Sequence, residues 1–326
     1  MGPNQAAIIS VKGLSVDYIT GPVEKLHALR NVNLEIAAGE SAAIVGESGC
    51  GKTTLAYSLL KLGPKNSVLS GDIVIDGISI GAAKGEQLRG VRGKTAAMIF
   101  QDPGESLNPV FTVFQQIKEA VNAHMSPVPD DGAMRLLARG LLKDAGLDDA
   151  GRVLNAYPHQ LSGGQQQRVM MAIALSCAPK ILIADEPTTA LDVTVQAQII
   201  KLLLSLKKEH NLTLALITHD LNVAVMLCKR VVVMYAGEIV EDGMISGIAQ
   251  AAHPYTHALF DIIPDMRSGR REFRAIPGSV PDLRYPPAGC GFEPRCPRAR
   301  EKCKRIHPEM EAGARCFFPY ETRRIE

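Results

Sequence analysis

The sequence predicts an α/β protein. It has a largely parallel sheet with helices between its strands, an antiparallel β subdomain, an inserted helical subdomain and a small Cys-rich C-terminal extension. Three observations predict this. Short apolar strands alternate with stretches of helical period. A glycine-rich loop lies between one such strand and the helix after it. Four of the seven cysteines fall within 27 residues near the C-terminus.

In chain order, residues 7–18 and 27–36 alternate apolar and polar positions around Gly and Pro breaks, the pattern of antiparallel strands. Ser41–Val45 reads as a short buried strand that runs into the glycine-rich loop and a helix from about Lys52 to Leu62. Strands follow at about 72–76 and 95–100. From Thr112 to Asp149 the apolar period is helical, as at Met134, Leu136, Leu137, Leu141 and Leu142. The helical block at about 106–165 interrupts the sheet as an insert. Strands at about 181–185, 212–217 and 230–235 then alternate with helices at about 193–209 and 220–228, as in a parallel sheet. The expected division is a main domain over 1–265 and an extension over 266–326.

The chain has 326 residues, 46% hydrophobic and 21% charged, ordinary for a globular protein. It has no tryptophan and 5% aromatic residues, so the core is expected to be aliphatic. Net charge is +2, unevenly placed: the last sixty residues carry an excess of Lys and Arg, and the remainder is net acidic. That basic excess reads either as attraction to anionic lipid headgroups or as solvated surface. Eight of the 20 prolines lie between Pro277 and Pro319, which suits a loop-rich module. The apolar, uncharged stretch Val169–Pro179 has 11 residues, where a membrane-spanning helix needs about 20. The start, Met-Gly-Pro-Asn-Gln, lacks the pattern of a signal peptide, so the expected location is the cytosol, with any membrane role exerted through partners. In a reducing compartment seven cysteines are expected as thiols or metal ligands rather than disulfides.

Gly46-Glu47-Ser48-Gly49-Cys50-Gly51-Lys52-Thr53 fits the phosphate-loop pattern G-x-x-x-x-G-K-[ST] between a strand and a helix. Its glycines let backbone N–H groups turn towards phosphates, and the helix N-terminus adds a favourable dipole. Lys52 suits the β- and γ-phosphates and the Thr53 hydroxyl suits Mg²⁺. Ile181-Leu182-Ile183-Ala184-Asp185-Glu186 reads as a buried strand exposing two carboxylates at its end. Asp185 would hold Mg²⁺ and Glu186 would act as general base towards water. Leu161-Ser162-Gly163-Gly164-Gln165-Gln166-Gln167-Arg168 begins a helix shortly before that strand. A second Ser-Gly-Gly element so far from the phosphate loop suggests two copies of the chain enclosing one nucleotide.

In that order these motifs resemble the ATP-binding cassette (ABC) ATPases, over roughly residues 7–250. The resemblance implies a P-loop NTPase (RecA-like) core, ATP and Mg²⁺ as cofactors, and a head-to-tail dimer in which each phosphate loop faces the partner's Ser-Gly-Gly element. It implies that Gln101 senses Mg²⁺ and the γ-phosphate and links to a transmembrane partner. It also implies that Thr189-Ala190-Leu191-Asp192 signals between the two sites, and that His219 contacts the γ-phosphate. Catalytic residues would be Glu186, His219 and Gln101, and Mg²⁺ ligands Thr53, Gln101 and Asp185. Nucleotide contacts would come from Gly46, Ser48, Gly49, Cys50, Gly51, Lys52, Thr53 and Thr54, and across the interface from Ser162, Gly163, Gly164 and Gln165. Tyr18 holds the place of the adenine-stacking aromatic, although a strand tyrosine equally serves packing.

Cys290, Cys296, Cys303 and Cys316 lie among Pro and Arg with no Cys-x-x-Cys knuckle. Iron–sulfur ligation, zinc and unliganded thiols are all compatible with that spacing. His253-Pro254-Tyr255-Thr256, Ile276-Pro277-Gly278, the cysteine set and Ser106-Leu107-Asn108-Pro109 resemble the oligopeptide/dipeptide permease branch of the family. That resemblance implies a 4Fe–4S cluster on the four cysteines and peripheral attachment to the cytoplasmic face of a bacterial inner membrane. The implied partners are two transmembrane permease subunits, a second related ABC ATPase subunit (a heterodimer, or a homodimer with its own copy) and, indirectly, an extracytoplasmic solute-binding protein. No nucleic acid is expected. The alternative functions are import of another solute, such as nickel or a sugar derivative, and a soluble ABC ATPase outside transport.

Overall fold

The computed structural model describes residues 7–22, 24–189, 192–260 and 276–320. Its strands are β1 (Ala7–Ile19), β2 (Lys25–Ala37), β3 (Ser41–Val45), β4 (Ser67–Ile75), β5 (Ile78–Ser79), β6 (Ala96–Ile99), β7 (Ile181–Asp185), β8 (Thr213–Thr218), β9 (Arg230–Tyr235) and β10 (Glu238–Met244). The chain divides into two compact units. One comprises Ala37–Glu40 and Ile75–Leu216 with the start of β1, and the other Ile9–Ile36, Ser41–Val74 and Ile217 onward.

In the first unit β7 lies between β6 and β8, and β6 pairs with it in parallel, Ala96 opposite Ile181 and Ile99 opposite Ala184. Every residue of β6 and β7 is buried, as expected of parallel strands covered on both faces. Four helices supply the inserted block: Val113–His124, Asp131–Asp144, Ala150–Asn155 and Gly163–Leu175. The first buries Val113, Ile117 and Val121, and the second Met134, Ala138 and Leu142, each set at four-residue spacing along one face. Leu136, part of the apolar pattern read from the sequence, is instead 74% exposed. The starts are capped. Thr112 and Gln115 form a reciprocal capping box, and Asp130 and Asp149 accept backbone N–H groups, each cap contributing about 1 kcal/mol.

In the second unit β1 lies between β2 and β4. β3 pairs in parallel with β9, Ala42 opposite Arg230 and Val45 opposite Val233. β9 turns back into β10 through Ala236 (φ 49°) and Gly237 (φ 81°), a two-residue turn with both residues in the left-handed region. β10 is not among the strands expected from the sequence, because Ala-Gly is a weaker hairpin signal than Asn-Gly. A bulge between Ile239 and Glu241 interrupts the register. Residues 313–315 run along β10: Asp242 N–H donates to Gly313 O (2.8 Å) and Arg315 N–H to Val240 O (2.8 Å). The Arg315 guanidinium adds a bond to Ile239 O (3.0 Å). This edge is therefore covered rather than open to pairing.

His253 is buried at the end of this region. Its Nδ1 accepts the backbone N–H of Tyr255 (3.1 Å), while the backbone N–H of His253 donates to Glu241 Oε2 (3.0 Å). Burial pushes the imidazole down to about 3, whereas an unfolded histidine protonates near 6.5. Between those values the unfolded chain binds the extra proton. Stability therefore rises with pH through this window, and is lost as pH falls from about 6.5, by at most about 1.4 kcal/mol per unit. His253→Asn retains an acceptor without titrating. Its urea-denaturation stability should change less between pH 6.5 and 5 than that of the parent; an equal slope would exclude His253 as the source.

Candidate functional site

The glycine-rich loop leaves the buried strand β3 and enters the helix Lys52–Leu59. Lys52 is buried, and its ammonium donates to Gly46 O (2.8 Å) and Glu47 O (2.9 Å), with Cys50 Sγ at 3.7 Å. One cation thus gathers two carbonyls of the loop, and in a trans peptide the N–H points opposite to the C=O. Gly237 N–H donates to Cys50 O (3.0 Å), so the β9–β10 turn pins the loop. Gly51, the residue before the helix, lies at φ 103°, and a Cβ there would stand 2.6 Å from Ala28 O. With no side chain at Gly51 to cap the helix, its start suits an anion. Ser48 and Gly49 are exposed at the loop tip, as is Thr53. Thr54 meets the Tyr18 hydroxyl at 3.0 Å, which places that half-buried ring beside the first turn of the helix. Cys50 is buried, and burial raises its thiol pKa, consistent with a packing role. His219, at the end of β8, is exposed, and Asp220 after it caps the helix Leu221–Leu227.

In the other unit, Asp185 and Glu186 follow β7 as expected, but their environments differ. Asp185 is fully buried, whereas the sequence reading has both carboxylates exposed. Parallel neighbours enclose the strand through its last residue. Glu186 is partly exposed and held at φ 47°, a left-handed conformation uncommon for a non-glycine residue. Its Oε2 accepts Thr189 Oγ1–H (2.9 Å) and Gln101 Nε2–H (3.1 Å). Gln101 and Glu186, read as functional from separate motifs, therefore meet directly. The sequence did not single out the Thr189 side chain as a partner, because that contact depends on the tight turn after β7. Of its neighbours, Ala190 and Leu191 lie outside the described residues, and Asp192 caps the helix Val193–His210.

Ser162 begins the helix Gly163–Leu175 as its N-cap. Its hydroxyl accepts Gln165 N–H (3.4 Å), and Gln165 Oε1 accepts Ser162 N–H (3.2 Å). Ser162 and Gly163 are exposed and Gly164 half-buried. The glutamines after them divide the work. Gln166 donates to Pro158 O (2.8 Å), while buried Gln167 donates to Pro187 O (2.8 Å) and ties this helix to the turn after Glu186. Arg168 donates to Ala145 O and Gly146 O (both 3.1 Å), joining the inserted helices. None of these three anchors was legible in the sequence beyond the run of amides itself.

Cys290, Cys296, Cys303 and Cys316 all line one cavity, together with Phe292 and Phe317, and none forms a disulfide. Phe318 N–H donates to Cys316 Sγ at 3.4 Å. Burial pushes the Cys290 thiol up to about 12 and raises those of Cys296 and Cys316. Among the described residues, no three His, Cys, Asp or Glu side chains are grouped so as to hold a metal ion. The thiols ring a space and do not meet at a point. Cations stack on the aromatic residues after Cys316: Arg300 lies 4.1 Å from the Phe318 ring centre and Lys302 3.9 Å from that of Phe317.

A strand–loop–helix phosphate site, a carboxylate-tipped parallel strand and a serine-capped Gly-Gly helix define the class of ATP-binding cassettes. The chain belongs to the ABC transporter family and is an ATPase of that family: the family's "ABC transporter" region matches residues 29–189. A second region, "Oligopeptide/dipeptide transporter, C-terminal region", matches residues 243–303. The "Probable peptide ABC transporter ATP-binding protein y4tR" of Sinorhizobium fredii is 44% identical, over 98% of this chain and 97% of its own. The "Dipeptide transport ATP-binding protein DppD" of Escherichia coli is 39% identical over 97% of this chain and 98% of its own. Among solved structures, the ATP-binding cassette MJ0796, a dimer in a post-hydrolysis state with ADP and Pi, superposes with a TM-score of 0.66. It is 33% identical and covers 73% of this chain and 98% of that one. No helix among the described residues is long and apolar enough to cross a membrane.

The loop geometry separates two glycines. Gly51→Ala should lower unfolding stability by more than about 1 kcal/mol, since its Cβ meets backbone and φ is left-handed. Gly49, at φ 78° with nothing within 4 Å of a Cβ, carries the conformational cost alone, about 1 kcal/mol. Urea denaturation of both variants tests the difference; equal losses would contradict the contact with Ala28.

Proposed function

We propose that this chain is the ATP-hydrolysing subunit that energises import of oligopeptides or dipeptides through a membrane permease. The observation that carries this reading is the pairing, in one chain, of an ABC cassette with the C-terminal region of oligopeptide/dipeptide transporters. Relatives named for peptide and dipeptide transport, similar over nearly the whole length, support it.

In this reading Gly46, Ser48, Gly49, Cys50, Gly51, Lys52, Thr53 and Thr54 hold the phosphates of ATP, and Tyr18 stacks on adenine. Thr53, Gln101 and Asp185 serve Mg²⁺. Glu186 is the general base, kept in place by Gln101 and Thr189. His219 contacts the γ-phosphate. Ser162, Gly163, Gly164 and Gln165 contact the nucleotide bound to a second subunit, so each site needs two chains. Gln165 and Ser162 already satisfy each other in the capping box, which leaves the amides of Gly163 and Gly164 as the natural donors. ATP bridges the dimer, and hydrolysis removes the bridge, a two-state contact able to drive a membrane partner. The second subunit is a related ATPase or another copy of this chain. Both dock on two permease subunits at the cytoplasmic face of a bacterial inner membrane and are served indirectly by a solute-binding protein. The cassette comprises residues 1–265, with a helical subdomain at about 106–165, and the extension 266–326.

The same reading assigns a 4Fe–4S cluster to Cys290, Cys296, Cys303 and Cys316. Four thiols around one cavity, one of them accepting a backbone N–H, suit a group that binds each thiol through a separate iron. When bound, the cluster supplies four iron–thiolate bonds that cross-link the extension, and Arg298, Arg300 and Lys302 lie near enough in the chain to balance its negative charge.

Three outcomes are expected. Glu186→Gln should bind ATP with unchanged affinity and lose turnover by at least about a hundredfold; unchanged hydrolysis would remove Glu186 as base. Deleting the gene should abolish uptake of a labelled dipeptide, with restoration by the parent chain and not by Glu186→Gln. Uptake of nickel lost in place of the dipeptide would select the other importer reading. Protein purified without oxygen should contain iron and acid-labile sulfide that vanish on replacing the four cysteines by serine; zinc alone would overturn the cluster.

A further inference from the structure

The second residue of the phosphate loop, Glu47, is gripped from two sides by segments far along the chain. Its N–H donates to the Tyr255 hydroxyl (2.9 Å). Its carboxylate receives both terminal nitrogens of Arg295: Nη1 to Oε2 at 2.7 Å and Nη2 to Oε1 at 2.9 Å. The remaining donors of that guanidinium are also engaged. Nη1 reaches Tyr235 Oη (3.3 Å), Nη2 reaches Ile276 O (3.1 Å) and Nε reaches Pro277 O (2.9 Å). All five N–H groups of an arginine are thereby used, a fork geometry that lysine cannot reproduce. The Arg295 side chain is only 4% exposed and lies near the Tyr235 and Phe292 rings, 5.7 and 5.9 Å from their centres. A partly buried carboxylate held bidentately by a buried arginine keeps a fixed orientation far better than one in an exposed ion pair.

Arg295 lies in the short turn Glu293–Arg295 between Cys290 and Cys296, and Phe292 beside it lines the thiol cavity. Tyr255 packs against both Tyr235 and Phe292, with ring centres 4.6 and 5.3 Å apart. At the other end, the carbonyl of Glu47 accepts the Lys52 ammonium (2.9 Å). Backbone N–H, backbone C=O and side chain of this one residue are therefore all fixed, the first and last by the region after β10.

We propose that Arg295 is a positioning residue for nucleotide binding, and that the cysteine-bearing segment braces the phosphate loop in its binding conformation through Arg295 and Tyr255. The inference rests on reading residues 46–53 as the phosphate site. Arg295 touches no substrate; it acts through Glu47. Removing the brace leaves the loop more conformations to lose on binding, which weakens affinity without altering the chemical step.

The test is titration of the purified full chain with a fluorescent ATP analogue and Mg²⁺, with thermal melts and steady-state hydrolysis alongside. Arg295→Gln and Glu47→Gln should each weaken binding by about tenfold, and the double variant no further, because Arg295 reaches the loop through Glu47. KM for ATP should rise in each while kcat at saturating ATP stays within about twofold. Arg295→Lys should fall between, since it retains charge and loses the fork. Should Arg295→Gln fail to fold, Glu47→Gln carries the same expectation. Unchanged affinity in Glu47→Gln, or additive losses in the double variant, would overturn the brace. Lys52→Ala is the control: loss of binding there with full affinity in Glu47→Gln defeats only the brace. Unchanged binding in Lys52→Ala defeats the reading of the loop and the brace with it.

Discussion

The buried ammonium of Lys52 is the interaction on which the rest of the nucleotide half depends. It draws in the carbonyls of Gly46 and Glu47, and a chain that turns its C=O groups one way must turn its N–H groups the other. Taking such a cation from water is costly unless it is fully hydrogen-bonded, so the surroundings are built to hold the loop closed around it. β3 delivers the chain from a covered parallel sheet, the β9–β10 turn bonds to Cys50 O, and Gly51 passes close to Ala28 where a side chain would collide.

The carboxylate half follows a different principle. Asp185 is enclosed at the end of β7, whereas Glu186 is thrown outward by a left-handed backbone. Adjacent residues of one strand thus reach different environments, one dry and one half-open. Thr189 and Gln101 then limit where the Glu186 carboxylate can lie. Gln167, buried and bonded to Pro187 O, joins this turn to the helix begun by Ser162. The turn that carries Glu186 and the helix begun by Ser162 are thereby linked by one amide.

The C-terminal region is continuous with the nucleotide half. Its residues 313–315 bond along β10, Tyr255 packs tilted and Phe292 edge-on against Tyr235, and Arg295 grips Glu47. A low content of aromatic residues makes this concentration of rings notable. Phe292 of this ring cluster also lines the thiol cavity, and Arg295 beside it has every donor satisfied.

Sequence alone determined the class of the protein. The phosphate loop, the carboxylate-tipped strand, the Ser-Gly-Gly helix start and the helical insert are local patterns, each set by spacing and backbone chemistry within a few residues, and nearly all the strands follow from the same periodicities. It missed β10, whose Ala-Gly turn carries a weak signal, and the two-residue β5, and it misjudged the exposure of Asp185, because burial depends on neighbours distant in the chain. Only the tertiary structure decided that Gln101 meets Glu186, that Gln167 reaches Pro187, that four separated cysteines share one cavity, and that Arg295 holds Glu47. The three hydrogen-bonded pairings join residues 85, 20 and 248 positions apart. No periodicity encodes such a distance; it is set by how the sheets and helices pack once their apolar faces are buried.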